Sequence, residues 1–360
     1  MRSSKKHTYD VLNNDLVVKL KINSINSGTS LYIQFRNSNN ASKAIVYELD
    51  RASNWTTPHD WVEIVIPYNG YSYMSSGCTL ADFDLTQIDD LMITTNSGGK
   101  ADWNLQYIGL RPKTSKRGIV TFTFDDGYKS QYTGAKVLAE KGITSTIFGI
   151  FSWINTSGQH VPYEVADVLT PTEFQELVNY YGTDIEVHGH YAYLTPEVPE
   201  QDRGPFNVVW TEDTLKEHWE DSKKYLKENG LSEGKYMAYP NGAFPDSIVQ
   251  LTKSYFDSCR TIKPFIPMEA FPPSDNYRVR AISGISGNGS VNVAKVKEYI
   301  DRAVASNSWL VLVFHRIEEG TNDTNDCSIA DLRAIADYAI NSGANIMNYA
   351  EAFESGLVQN

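Results

Sequence analysis

The hydrophobic period of this chain changes near residue 118, and that change limits the architectures open to it. Before it, apolar residues recur at every second position. Val18, Leu20 and Ile22 alternate with Lys19 and Lys21, and Leu31, Ile33 and Phe35 alternate with Tyr32, Gln34 and Arg36. "WVEIVIP", "LMITT" and "WNLQYIGL" keep the period of two, with Asn, Ser, Gly and Asp clusters between them. Short strands separated by such turns predict an antiparallel, all-β sandwich over residues 1–112. "RPKTSKRG" (111–118) is polar, basic and free of apolar pattern, and the boundary is placed there.

Beyond it the period switches back and forth between 2 and 3.6. "GIVTFTF", "STIFGIF", "DIEVHGH", "KYMAYP", "SCRTI" and "WLVLVFH" read as strands, and amphipathic stretches separate them. One of these opens with Thr170 as N-cap, Pro171 at the first helical position and Glu173 closing a capping box. Its apolar face is Phe174, Leu177, Val178 and Tyr181, and Gly182 ends it. Further helices are expected over 212–229, 245–256, 291–305 and 328–342. Alternating strands and helices make an α/β fold with a parallel sheet, and six or more units suit a distorted (β/α) barrel over residues 113–360.

Bulk properties exclude several classes. A formal charge of −12 argues against a nucleic-acid or anionic-membrane partner. Cys78, Cys259 and Cys327 are odd in number and far apart, so neither a disulfide framework nor a thiolate zinc site is expected. No apolar run is long enough for a transmembrane helix. The start, "MRSSKKHTYD", is basic but lacks the apolar core of a signal peptide; either the chain is not exported by that route or the sequence begins after the signal.

In a (β/α) barrel, catalytic groups stand at the C-terminal ends of the strands. "VTFTFDDGYKS" delivers Asp125 and Asp126 there, "DIEVHGH" His188 and His190, "YMAYPNGAF" Pro240, Asn241 and Gly242, and "WLVLVFHRI" His315. Each has a plain alternative. A carboxylate pair after a strand is often a helix cap, a strand-end histidine is commonly a hydrogen-bonded core residue, and "YPNG" alone is a turn. Adjacent carboxylates nonetheless raise each other's proton affinity, a liability unless something uses them. Three of the seven histidines fall on strand ends of one half, and this coincidence points to a site.

With those motifs in hand, residues 118–350 resemble the polysaccharide deacetylase family, carbohydrate esterase family four. "TFDDG" (123–127) resembles its first motif, "IEVHGH" its histidine motif, "MAYPNGAF" a form found in one branch, "YRVRAISG" an arginine-bearing segment, and "LVLVFHRI" the strand with the terminal histidine. The resemblance implies metal-dependent hydrolysis of acetyl groups, N-acetyl before O-acetyl, from an acetylated polysaccharide or oligosaccharide at a cell or particle surface or outside the cell. It implies Asp125 as general base and His315 as general acid. Asp126 and His188 would bind a divalent metal, zinc first, with cobalt or nickel as alternatives. It also implies oxyanion and substrate contacts from Asn241, Tyr239 and Pro240. The first 112 residues lie outside the resemblance and look like a carbohydrate-binding or adaptor unit. Tyr128, Trp153, Tyr191, Tyr193 and Trp210 follow strand ends and are candidates for a groove on which sugar faces stack.

The chain departs from the family pattern twice. The family places a second histidine ligand at i+4 from the first, but position 192 is alanine, and His190 stands at i+2. In extended backbone, i and i+2 face the same side, so His190 is taken as the third metal ligand. Second, the "MAYP" segment carries no arginine to steady the base, which leaves Arg278 and Arg280 as candidates. The missing histidine also keeps open a catalytically impaired carbohydrate-binding protein on the same scaffold. Hydrolysis of a small linear or cyclic amide is a third reading. The extended reading of His190 predicts that His190→Ala weakens metal binding at least about 10–100-fold, the scale of lost supporting contacts, while Ala192→His does little. Metal titration in which only Ala192→His changes affinity contradicts it.

Overall fold

The fold is that of a computed structural model describing residues 7–26, 29–51, 61–151, 154, 168–189, 212–242, 246–262, 266–287, 289, 291–318 and 325–357. His190, Ala192, Trp153, Tyr191, Tyr193 and Trp210 lie outside the described residues. The first seven strands are β1 (Asn14–Ile25), β2 (Ser30–Asn37), β3 (Asn40–Arg51), β4 (Trp61–Ile66), β5 (Tyr73–Met74), β6 (Asp90–Thr95) and β7 (Ala101–Pro112). They form two antiparallel sheets, β4-β1-β7 and β5-β3-β2-β6. The period of two translates into burial: Val18, Leu20 and Ile22 are fully buried, as are Leu31, Ile33 and Phe35, while Lys19 and Lys21 stand half-buried on the other face.

From residue 119 every ladder between the described strands is parallel. The strands are β8 (Ile119–Asp126), β9 (Thr146–Gly149), β10 (Asp184–His188), β11 (Tyr236–Ala238), β12 (Ser258–Arg260), β13 (Trp309–Phe314) and β14 (Asn345–Ile346). Their order is β12-β11-β10-β9-β8-β13, with β14 also on β8. Residues 279–282 join the two ends by single parallel bridges, Arg260 to Val279 and Ile282 to Leu312, so the sheet curves into an irregular barrel. Around it lie α1 (Ser130–Ala139), α2 (Pro171–Tyr181), α3 (Glu212–Glu228), α4 (Asp246–Thr252), α5 (Val293–Ser306), α6 (Ile329–Asn341) and α7 (Tyr349–Leu357). Because helices cover one face and the barrel interior fills the other, every residue of β13 is buried, which is why it reads as an unbroken apolar run. The α2 caps are as expected: the Thr170 side chain accepts from the Glu173 N–H, and Gly182 takes the left-handed conformation.

Buried cations hold the antiparallel sheets against the barrel. Arg302 of α5 donates through Nε to the Asn69 carbonyl at 2.8 Å and through Nη2 to that of Tyr71 at 2.5 Å, over whose ring it lies. Arg280 donates to the Val65 carbonyl at 2.9 Å while Glu269 neutralises it. Lys113 donates to the Ser306 carbonyl at 2.7 Å and sits 3.3 Å from Asp15.

At the other end of β10 is a half-buried acid. Desolvation pushes Asp184 up to about 7; the Thr146 hydroxyl opposes this, and Glu351 and Glu354 of α7 add to it. The folded state therefore keeps a proton that the unfolded chain releases near its ordinary value of about 4. Stability contributed by this group is full below pH about 4 and is lost as pH rises towards about 7. Asp184→Asn should flatten that slope and raise Tm at pH 8 by about 2–4 °C or more, as followed by thermal unfolding against pH. An unchanged slope contradicts the assignment.

Candidate active site

Parallel pairing brings the C-terminal ends of β8, β10, β11, β12 and β13 to one rim of the barrel, and most of the polar residues singled out above meet there. At the end of β8 the backbone turns through two positive φ angles, 79° at Asp126 and 85° at Gly127. The first is rare for a residue with a Cβ and sets the two neighbouring carboxylates apart. Asp125 is buried; Asp126 is more open to solvent.

His188 lies opposite both. Its Nε2 is 3.6 Å from Asp125 Oδ2 and 3.6 Å from Asp126 Oδ1. Its Nδ1 is 3.0 Å from the Gly189 carbonyl oxygen. With the ring proton donated to that carbonyl, the Nε2 lone pair faces two carboxylates, an array of acceptors that a cation relieves. Burial works to lower the imidazole's proton affinity, but Asp125 and Asp126 outweigh it and hold it above its ordinary value. Asp126 and His188 thus fit as two ligands of a divalent cation. Among the described residues, no group of three His, Cys, Asp or Glu side chains is set to complete a metal site, and His190 lies outside them. Gly189 is needed for close approach: a Cβ there would meet Pro240 Cδ at 2.8 Å.

Arg260, at the end of β12, supplies the positive charge beside Asp125. Its Nη2 donates to Asp125 Oδ1, and the guanidinium lies over the Phe148 ring, 5.0 Å from its centre. This corrects the expectation of Arg278 or Arg280. Arg278 pairs with Asp275 at 2.5 Å, and Arg280 is bound to Glu269 in the contact between the sheets and the barrel. Burial alone would raise Asp125, but Arg260, then His188 and His315, hold it well below the usual carboxylate range. It is therefore ionised throughout the neutral range, the form a proton acceptor needs.

The turn after β11 contains Pro240, Asn241 and Gly242. Asn241 is exposed with φ 51°, and its N–H has no backbone acceptor among the described residues, which suits a donor to a developing oxyanion. Tyr239 does not join it: its ring is buried in the core, and its hydroxyl lies 3.1 Å from that of Thr252. Tyr128 is likewise buried, beneath Arg316. His315 follows β13, with Nδ1 buried and without a hydrogen-bond partner among the described residues.

One residue escaped sequence reasoning. Gln131, fully buried in the first turn of α1, donates through Nε2 to the Asp125 carbonyl at 2.5 Å and to the His315 carbonyl at 2.9 Å. The β8–β13 ladder ends one residue earlier, at Phe124 opposite Phe314, so the amide replaces the missing rungs where Asp125 and His315 stand. Ser130 accepts from the Ile317 N–H at 3.1 Å and holds the same loop.

Residues 112–255 match the family model described as polysaccharide deacetylase. That match makes this part of the chain similar to the polysaccharide deacetylases. No curated protein matches the chain. Among solved structures it is similar to the Xyl-CE4 domain of a multidomain xylanase from the hindgut metagenome of Trinervitermes trinervoides, at 15% identity over 67% of this chain and 91% of that one, with a TM-score of 0.41. It is also similar to a family 4 carbohydrate esterase from Bacillus anthracis, at 19% identity over 67% and 84%, with a TM-score of 0.40. For the family 4 carbohydrate esterase from Streptomyces lividans in complex with acetate, the values are 12%, 63%, 91% and 0.38.

Asp125→Asn should lose at least about 100-fold in rate, the scale of a general base. It should also destabilise the fold by about 3–5 kcal/mol, because Arg260 is left buried without its anion. Rate and Tm measured together check both, and a variant with near-normal rate removes Asp125 from the chemistry.

Proposed function

We propose that the chain is a metal-dependent enzyme that removes acetyl groups, from nitrogen in preference to oxygen, from a polysaccharide outside the cell or at a surface. The observation that carries this is Asp125, kept ionised by a buried arginine beside the convergent Asp126 and His188. A binding protein descended from an enzyme has no use for a buried charge pair of that kind, which favours catalysis over the impaired alternative. The polymeric substrate is the ground for placing the action at a surface.

Asp126 and His188, with His190 on its extended reading, would hold the ion, zinc first and cobalt or nickel as alternatives. When bound it supplies Lewis acidity to the acetyl carbonyl and lowers the pKa of the attacking water. Asp125 accepts the proton that water gives up as it adds to the carbonyl carbon. The Asn241 N–H donates to the oxygen that becomes negative, and the turn at Pro240 sets where that donor points. His315 then gives a proton to the departing nitrogen, without which an amine leaves as an unstable anion. Gln131 fixes the two carbonyls that carry base and acid, and so limits how far the pair can drift apart.

Acetate release from N-acetylated and O-acetylated glycans should vanish on chelation and return with zinc or cobalt; release unaffected by complete metal removal contradicts the metal mechanism. His315→Ala should slow N-acetyl hydrolysis about 100-fold or more with metal content unchanged. It should spare an aryl acetate, whose leaving group needs no proton. Equal losses on both substrates exclude His315 as the acid.

A further inference from the structure

The face of the β4-β1-β7 sheet turned away from the sandwich core runs out from beneath the barrel half. Its first row, Val65 and Val17, is buried against Ala270. The next row is Glu63, Lys19 and Tyr107, and the one after is Trp61, Lys21 and Asn104. Trp61 is 47% exposed and Tyr107 40%, and the Tyr107 hydroxyl reaches across Lys19 to donate to Glu63. Two strand spacings and two residues along the strand put the Trp61 and Tyr107 backbones about 12 Å apart. A large aromatic left half open to water is the residue type that stacks on flat apolar surfaces while its edge hydrogen-bonds.

Where the face meets the barrel half, a cleft of about 390 Å³ opens. Trp61 and Glu63 form one wall, and Gln250, Lys253, Asn276 and Tyr277 contribute to the other. That volume lies in the range of small-molecule sites, roughly 300–1,000 Å³. Glu63 and Asp275 balance Lys253 and Arg278 around the cleft, and Asp275 and Arg278 are paired with each other, so neither an anion nor a cation is favoured. Aromatic rings of Trp61 and Tyr277 together with the amides of Gln250 and Asn276 match a sugar ring, which has C–H faces and a rim of hydroxyls. The cleft opens towards the start of β12, and the candidate active site lies at its C-terminal end. The Asn276 carbonyl accepts from the Cys259 N–H and the Ser258 hydroxyl at the start of β12, whereas Arg260 meets Asp125 at its far end.

We infer that this face and cleft form a second glycan site, which takes a neutral segment of several sugar rings and keeps the polymer near the catalytic rim; the inference rests on the reading of the substrate as a polysaccharide. A tether of this kind raises the local concentration of acetylated units without touching the chemistry.

The test uses the full chain, its Trp61→Ala and Tyr107→Ala variants, insoluble chitin and insoluble acetylxylan for retention, and a short soluble acetylated oligosaccharide for turnover. Wild type should be retained on at least one polymer. Trp61→Ala should weaken retention about tenfold or more, with Tm and turnover of the short substrate unchanged, because Trp61 is exposed and belongs to the antiparallel half of the chain. Tyr107→Ala should weaken it less. Retention that both variants keep, or no retention of wild type on either polymer, overturns the inference. So does a Trp61→Ala loss of turnover on the short substrate that equals its loss on polymer, since the cleft then belongs to the active site. A face that Trp61→Ala alters only through a concentration-dependent dimer, seen by light scattering, overturns it too. If wild type releases no acetate from any glycan while Trp61→Ala still abolishes retention, the second site stands and the deacetylase reading falls.

Discussion

The buried pair of Arg260 and Asp125 is the interaction on which the rest of the site depends. Both side chains are buried, and two of the guanidinium's nitrogens, Nε and Nη1, have no hydrogen-bond partner among the described residues. A lone charge in such a place costs several kcal/mol, so each ion is tolerable only while the other is there. The pair in turn requires a closed sheet. Arg260 lies at one end of the strand order and Asp125 near the other, and the bridging segment 279–282 brings them round to meet. Curvature and charge state are thus one device: the barrel delivers the cation that keeps Asp125 ionised.

Much of this was legible from residues alone, because parallel strands put their C-terminal ends on one side. Asp125, Asp126, His188 and His315 each close an apolar run, so their positions on the rim follow from the period. Arg260 was not legible. It sits in the three-residue strand "SCR", too short to show any period, whereas "YRVRA" offers two arginines beside apolar neighbours. A local cue existed, since Asp275 stands three residues before Arg278 and engages it. The partner of Arg280, Glu269, is eleven residues away, and only the fold shows that pairing. Gln131 was hidden for another reason. A polar residue in the first turn of a helix reads as solvated surface, and only the meeting of α1 with two strand ends makes it a buried clip. Tyr239 was misjudged because its motif suggested substrate contact, while its ring fills the core.

The same physics ties the two kinds of sheet together. Arg302 and Arg280 donate to carbonyls of the antiparallel half. The sandwich is therefore fastened at defined points, and its outward face keeps a fixed relation to the barrel. A polymer that lies along that face meets a cleft whose two walls come from different halves of the chain.

The most direct measurement is acetate release by Arg260→Met and Arg260→Lys beside wild type, on one acetylated oligosaccharide and with metal content determined for each. Arg260→Met should lose about 100-fold or more, since the buried base is left without its cation. Arg260→Lys should keep more of the rate, because it restores the charge but not the planar fork. An Arg260→Met enzyme that is folded, metal-loaded and as fast as wild type contradicts the account.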